Sequence, residues 1–380
     1  MNLKRFLSYT KHALMALVVL VTFGITGCDD DDDGPTIYNG TVMDLISDPG
    51  FRQTPTSSPD EALDSLVKYL SIYPDLVSTL EGSAEVTLFA PSNTAFISLL
   101  ATPGFPENIA DINPAVIEDV LQYHIVSGKQ MKADLLPTGT GAGIATNFSS
   151  TNPCTGVQTV ENIKVNDNGT LLTGSSNKAI EITDPDNQAT NGVVHVTKTV
   201  LIPFSVEASL TPILGKLSAT VLLAADFTHL AKAIMRADCG VAGVTPISNI
   251  LSGPGPYTAF LPPNQVFEGT AQAWPGGPYT VDQFISALTP EQWRNILLNH
   301  IVAGTNNKAA LTNGTLLTTL LHADAKLVVT DNANAPEGKV LTTTGGTTGM
   351  GGTTGAALVV VDLSASNGVA HVVAKILIPN

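Results

Sequence analysis

Four histidines are the residues of this chain that could do acid–base or metal chemistry as a set. His124 and His195 lie 71 positions apart, and His300 and His371 repeat that spacing. An imidazole titrates near neutrality and is a common zinc ligand, so a recurring pair points first to proton transfer or a metal. A zinc site takes three or four protein ligands, and neither pair has a third histidine or a cysteine pair spaced to join it. His229 and His322 have no counterpart in the other half. The remaining reading is that each ring is semi-buried and spends its nitrogens on backbone groups. The spacing therefore predicts structural histidines, with no metal and no cofactor.

Other chemistry-bearing patterns are weak. Gly-x-Ser-x-Gly and His-Glu-x-x-His do not occur, and Gly215-Lys216 lacks the earlier glycine of a phosphate loop. Catalytic groups can converge from distant positions, but nothing here names a reaction, and the expectation is a protein that is not an enzyme. Asp184-Pro-Asp186-Asn187 resembles the start of a calcium loop, yet Ala189 stands where that loop needs glycine and His195 where it needs glutamate. An ordinary Asp-rich turn is expected instead. The segment from Trp274 to Tyr279 is an aromatic loop that could stack on a sugar or anchor a protein partner, unless Trp274 folds back over its own domain.

The histidines belong to a duplication. Asn191-Gly-Val-Val-His195 is answered by Asn367-Gly-Val-Ala-His371, Tyr123-His124-Ile125-Val126 by Asn299-His300-Ile301-Val302, and Thr87-Leu-Phe-Ala-Pro-Ser-Asn93 by Thr258-Ala-Phe-Leu-Pro-Pro-Asn264. The order is the same in both halves, so two domains of one kind sit in tandem. We place them at residues 40–203 and 213–379, with 204–212 as a short linker, each about 165 residues and large enough for its own core.

Within the copies, helical periodicity precedes strand patterns. Leu63, Leu66, Val67 and Leu70 make one apolar stripe, which Pro74 interrupts, and Leu223, Phe227, Leu230 and Ile234 make the equivalent. Glu85 to Ala90 alternates as a short strand, and Ser92 and Asn93 offer caps for a helix carrying Phe96. Asn113-Pro114 and Thr289-Pro290 open helices whose apolar faces end at His124 and His300, with Gln292 completing a capping box. Runs at 163–165, 179–183, 326–330 and 357–362 read as strands. Asn191-Gly192 and Asn367-Gly368 predict tight turns at residues that tolerate positive φ, each followed by a closing strand. Residues 137–159 and 342–355, rich in Gly, Thr and Asn, read as unrelated exposed loops.

The N-terminus carries Lys4, Arg5 and Lys11, then an apolar run at 13–23 too short to span a bilayer, then Ile25-Thr26-Gly27-Cys28. Residues 1–27 therefore read as a signal peptide. Residues 28–39, with carboxylates at 29–33, read as an extended tether, since such a string repels itself and lacks the preorganised oxygen cage of a calcium site. A net charge of −15 with only 18 basic residues argues against nucleic acid. Of three cysteines, Cys28 belongs to the signal boundary. Cys154 and Cys239 fall one in each copy. A bond between them requires Cα atoms about 4.4 to 6.8 Å apart, which spacing cannot supply, and separate thiols are the expectation.

The strand-turn around Phe89, the Tyr123-His124 helix end and the closing Asn-Gly-Val-Val-His-Val together resemble the fasciclin domain family, across nearly the whole mature chain and in both copies. That resemblance implies an α+β fold of two tandem domains, each a β-sandwich-like wedge packed with several α-helices. It also implies an extracellular or surface protein associated with adhesion, generally without catalysis. Tyr123 and His124, with Asn299 and His300 opposite them, become binding candidates beside Trp274 and Tyr279. The second copy departs from the pattern at Asn299 and Pro263. The Ile-Thr-Gly-Cys segment resembles a bacterial lipobox, implying lipidation of Cys28, and the acidic run resembles the export signal of surface lipoproteins of Bacteroidota-type bacteria. The resulting expectation is a lipid-anchored outer-membrane protein facing the exterior, which meets the membrane through Cys28 and an unidentified surface protein or glycan through its domains. The alternative expectation is a glycan-binding accessory of a polysaccharide uptake system.

Overall fold

Each half of the chain is organised around one short strand that is buried on both faces. The computed structural model describes residues 37–52, 62–106, 108–135, 143–152, 154–166, 170–210, 214–239, 243–345 and 350–380. The expected signal peptide, Cys28 and the acidic run lie outside the described residues, as do 137–142 and 346–349 of the two expected loops.

In the first half the strands are β1 (Val86–Pro91), β2 (Ile125–Ser127), β3 (Ile144–Thr151), β4 (Gln158–Val165), β5 (Leu171–Thr173), β6 (Lys178–Ala179), β7 (Ile182–Ala189) and β8 (Gly192–Thr197). They form one sheet in the order β6-β5-β4-β3-β2-β1-β8-β7. The second half has β9 (Tyr257–Leu261), β10 (Ile301–Ala303), β11 (Leu316–Thr318), β12 (Lys326–Asp331), β13 (Lys339–Thr344), β14 (Ala356–Ala365) and β15 (Gly368–Val373), in the order β10-β9-β15-β14-β13-β12-β11. Both orders describe the same curled ribbon opened at different seams. The first opens between β6 and β7, the second between β10 and β11, where only the Val302–Thr319 bridge closes it.

The closing strand of each half pairs in parallel with the central one, β8 with β1 and β15 with β9. Parallel pairing inside a covered sheet needs apolar residues on both faces, so β1 is buried throughout and does not alternate as expected. Val86, Leu88 and Ala90 face a core made with the helices, whereas Phe89 joins Tyr123, Phe148, Ile163 and Leu201 inside the curl. Phe260 plays the same part in the second half, with Ala259 and Leu261 turned to its helices.

Several local expectations change. The expected loop at 137–159 contributes two strands, with Ile144–Thr151 paired to Gln158–Val165, because Thr146 and Phe148 point inward between polar residues that face out. Residues 342–344 belong to β13, and Thr353 is buried against Thr343. The expected linker is largely the helix Phe204–Leu210, whose Glu207 carboxylate accepts hydrogen bonds from Ser175 and Ser176 of the first domain. The stripe from Leu223 to Ile234 is not one helix. It comprises a 3₁₀ turn at Ala225–Phe227 and the helix Thr228–Asp238, following the helix Leu217–Leu222. The run at 179–183 divides between β6 and β7. The Asp-rich segment at 184–187 lies within β7 rather than in a turn.

Cys154 and Cys239, expected as separate thiols, are joined in a disulfide with Cα atoms 5.1 Å apart. Folding brings a hairpin of the first domain to the end of the helix Thr228–Asp238 in the second, which spacing along the chain could not reveal.

Most informative is the Asn-Gly pair before each closing strand. A tight hairpin does form there, but of these four residues only Gly368 has positive φ. The buried Asn191 side chain instead accepts a hydrogen bond from the Val42 N–H (2.7 Å) and donates to the carbonyls of Leu80 (2.9 Å) and Gly82 (2.6 Å). Asn367 does the same with the Leu217 N–H and the Leu251 and Gly253 carbonyls. One amide thus caps the start of one helix and the end of another. The glycine beside it is required by contact, since a Cβ on Gly192 would lie 2.0 Å from the Val86 carbonyl oxygen. Replacing Asn191 by Ala should lower unfolding free energy by about 3 kcal/mol, because three buried backbone groups lose their partner. Gly192→Ala should be of comparable severity, and urea titration with circular dichroism checks both.

Candidate functional site

The repeated histidines occupy two kinds of position, each present once per domain. The helices Pro114–Tyr123 and Pro290–Leu298 begin at Asn and Thr caps followed by proline, and each ends just short of its histidine. His124 Nδ1 lies 2.7 Å from the Val120 carbonyl, while its Nε2 accepts a hydrogen bond from the Leu201 N–H at 2.9 Å. His300 makes the same pair with the Ile296 carbonyl (2.8 Å) and the Leu377 N–H (2.9 Å). A nitrogen facing a carbonyl must carry hydrogen and one facing an N–H must not, so both rings are neutral Nδ1–H tautomers.

His195 and His371 are the inverse case. Each lies on a closing strand, with Nε2 2.8 Å from the carbonyl of Gln130 or Asn306. Their Nδ1 atoms accept from the N–H groups of Asp186 (3.1 Å) and Asp362 (3.2 Å). These aspartates sit at bulges with φ of 63° and 61°, left-handed values that let the strand turn its N–H toward the ring. Their carboxylates accept from Lys132 N–H and Lys308 N–H, tying the segment after β2 or β10 to the bulge. His195 and His371 also pack on Phe89 and Phe260, ring centroids 5.5 Å apart in both domains.

Burial pushes the His124 and His300 imidazoles down to about 4, against the smaller opposing effect of the carbonyl each donates to. It also holds His195 and His371 below the ordinary histidine value. All four nitrogen pairs are committed to backbone. Among the described residues no group of three or more His, Cys, Asp or Glu could hold a metal ion.

The remaining candidates are also engaged. Tyr123 is buried and donates to the Asn162 carbonyl at 2.9 Å, and burial, with Glu161 nearby, raises its phenol pKa. Asn299 is buried and donates to the Leu377 carbonyl. A partner resting on the folded surface would therefore touch none of Tyr123, His124, Asn299 and His300. Trp274 and Tyr279 are half-buried, and the Trp274 ring packs on Phe284 with centroids 5.0 Å apart, so it is folded back over its own domain. These two lie in a separate part of the second domain, beyond the helix Asn264–Ala273, and have no equivalent in the first.

The reading from sequence missed Asp362, the bulge role of Asp186, which it took as part of an Asp-rich turn, and the polar role of Asn191 and Asn367. It also missed Thr87 and Thr258, whose hydroxyls donate to Gly128 and Gly304 and accept from the Gln130 and Asn306 N–H groups. The signal available was repetition of a polar residue at an otherwise apolar strand position. The half-buried Asp119 carboxyl is pushed up to about 6, first by burial and then by Glu118 and Glu161. Exposed aliphatic side chains include Ile72, Ile97, Val160 and Leu316, each more than half exposed.

The buried histidines make stability fall in acid. The unfolded chain takes up protons near 6.5, the folded His124 and His300 near 4, so their contribution is complete above about 6.5 and is lost as pH falls toward 4. That amounts to on the order of 3 kcal/mol for each ring. Asp119 acts in the opposite sense, gaining as pH falls below about 6, but it is one group against four. Thermal melts should therefore show a falling midpoint between about pH 6.5 and about pH 4, and His124→Asn should flatten part of that slope even where it lowers stability throughout.

The profile described as Fasciclin domain matches residues 61–203 and 226–379. Transforming growth factor-beta-induced protein ig-h3 of Sus scrofa is 23% identical over 355 residues, covering 90% of this chain and 44% of that protein. The chain thus spans less than half the length of that relative. Protein sll1483 of Synechocystis is 28% identical over 169 residues, covering 44% of this chain and 82% of that one. A solved FAS1 domain pair from the insect cell adhesion molecule Fasciclin I covers 84% of this chain and 98% of its own, with 15% identity and a TM-score of 0.33.

Proposed function

We propose that this chain, which belongs to the fasciclin domain family and carries two of its domains, is a non-catalytic surface protein that mediates adhesive contacts between cells or with a matrix. Its lipid anchor is Cys28, its tether the acidic run that follows, and its location the outer face of the envelope. The observation that carries this reading is the commitment of the repeated polar residues. His124, His195, His300 and His371 spend both ring nitrogens on backbone groups, and Asn191 and Asn367 on helix ends. What both domains repeat most faithfully is a scaffold, which leaves recognition to loops and sheet edges that differ between them.

A protein partner fits the exposed residues better than a glycan. Sugar recognition commonly uses an aromatic face open to solvent, whereas Trp274 lies on its own Phe284 and the exposed apolar groups are mainly aliphatic. Adhesion of this kind needs no catalytic cavity. It needs a stable body presented at a distance from the membrane, and a self-repelling tether of carboxylates would supply that distance.

Protease added to intact cells should remove both domains, and a Cys28→Ala chain should leave the membrane fraction for the soluble one. Deleting the gene should reduce cell aggregation or surface attachment severalfold, with recovery from the wild-type chain but not from Cys28→Ala. Attachment that is unchanged by deletion on every surface tried, or protection of both domains until lysis, would sink the adhesive reading.

A further inference from the structure

Among the described residues the two domains touch at one seam and are bonded at a second point away from it. At the seam, the Asn113 N–H donates to the Leu223 carbonyl at 2.5 Å, Ile112 bridges Ala224, and Gly104 lies so close to Gly215 that a Cβ there would be 2.6 Å from the Gly215 nitrogen. The polypeptide crosses between domains at this same end, through the helix Phe204–Leu210. From the seam the helix Thr228–Asp238 runs away over 11 residues, about 16 Å, and Cys239 follows its last turn. There it is bonded to Cys154, in the turn between β3 and β4 of the first domain.

That distal attachment has little else to hold it. Among the described residues no hydrogen bond or ion pair joins the β3–β4 hairpin to the second domain. Val157 and Val160 on the hairpin remain 60% and 53% exposed, and Met235 and Val244 on the other side 42% and 43%. The turn itself is well formed, the Asn152 side chain accepting from the Cys154 and Thr155 N–H groups. A seam and a second attachment about 16 Å from it together remove the swing that either alone would leave, whereas a seam with one backbone bridge is by itself a hinge.

We propose that the Cys154–Cys239 disulfide is a redox-set clasp: oxidised, it holds the two domains in one orientation, and reduced by a dithiol it lets the second domain swing about the seam formed by residues 104–113 and 214–225. Cys154 is exposed while Cys239 is buried, so the attack comes at the Cys154 sulfur. A thiolate of the dithiol bonds to Cys154 Sγ, the Cys154–Cys239 bond breaks, and Cys239 leaves as a thiolate that takes up a proton. The second thiol of the dithiol then displaces Cys154, leaving two protein thiols and an oxidised dithiol, with two electrons transferred. Swinging also alters the cleft of ≈ 340 Å³ at the seam, which Phe105 and Asp111 line from one domain and Lys216 and Leu223 from the other. The clasp does not depend on the adhesive reading, since it concerns only how the two domains are held.

The test uses the full chain in detergent, with fluorophores carried by unnatural amino acids at the exposed positions 72 and 316. Single-molecule energy transfer should give one narrow peak for the oxidised chain, and a broadened or displaced one after dithiol treatment. Cys154→Ser should show the broad distribution without any dithiol, and reoxidation of the wild type should restore the narrow peak. Hydrogen exchange on the same samples should rise about tenfold in the 154–158 turn and near Cys239, with β1, β8, β9 and β15 unchanged. An identical peak in oxidised, reduced and Cys154→Ser protein would overturn the clasp. Faster exchange throughout those central strands would overturn it too, by making the bond a staple of the fold, as would absence of the cross-linked peptide from chain recovered in its natural state.

Discussion

The architecture of each domain depends on a single buried carboxamide. Asn191 and Asn367 stand at the hairpin that feeds the closing strand, and each satisfies the opening N–H of one helix and two carbonyls at the end of another. Helix ends cannot be buried without partners, so a sheet that packs helices around both ends of a parallel strand pair needs a donor and acceptor at that point. An amide offers both from one small group. The adjacent glycine then lets the closing strand come against the central one, where any side chain would collide with a carbonyl oxygen.

The histidines solve a related problem further along the same strands. At two places in each domain a neutral imidazole bridges a backbone carbonyl to a backbone N–H that the ladder leaves over: Val120 to Leu201, Gln130 to Asp186, and their equivalents in the second half. A ring that donates at one nitrogen and accepts at the other does this only when uncharged, and burial keeps the second proton off against the smaller opposing pull of the carbonyl to which each ring donates. The same residues that make catalysis imaginable from the sequence are thus removed from chemistry by being essential to packing. Function in such a body moves to what the scaffold leaves outside, including the contact between the two copies.

Much of this is legible in the sequence. The duplication, the helix caps at Asn113 and Thr289, the closing strands and the structural role of the histidines follow from repetition and periodicity, which are local properties of the chain. The strand at 144–151 was not legible, since its inward residues Thr146 and Phe148 sit among threonines, serines and asparagines that resemble a loop. Nor was the helix at 204–210, which buries none of its residues and is held by Glu207 on a turn some thirty positions earlier. Tyr123 and Asn299 were readable as a distinctive pair beside histidines, but their burial follows from the strands and chain segments packed over them.

Pattern along the chain sufficed for what neighbouring residues settle among themselves: two copies, the strongly periodic helices and closing strands, and the family they share. Long-range closure settled the rest, because it joins groups that no local pattern relates. Asn191 meets Val42 and Leu80, His124 meets Leu201, and Cys154 meets Cys239 only once the ribbon has curled and the helices have packed. Their meaning lies in the partner, and folding alone supplies it.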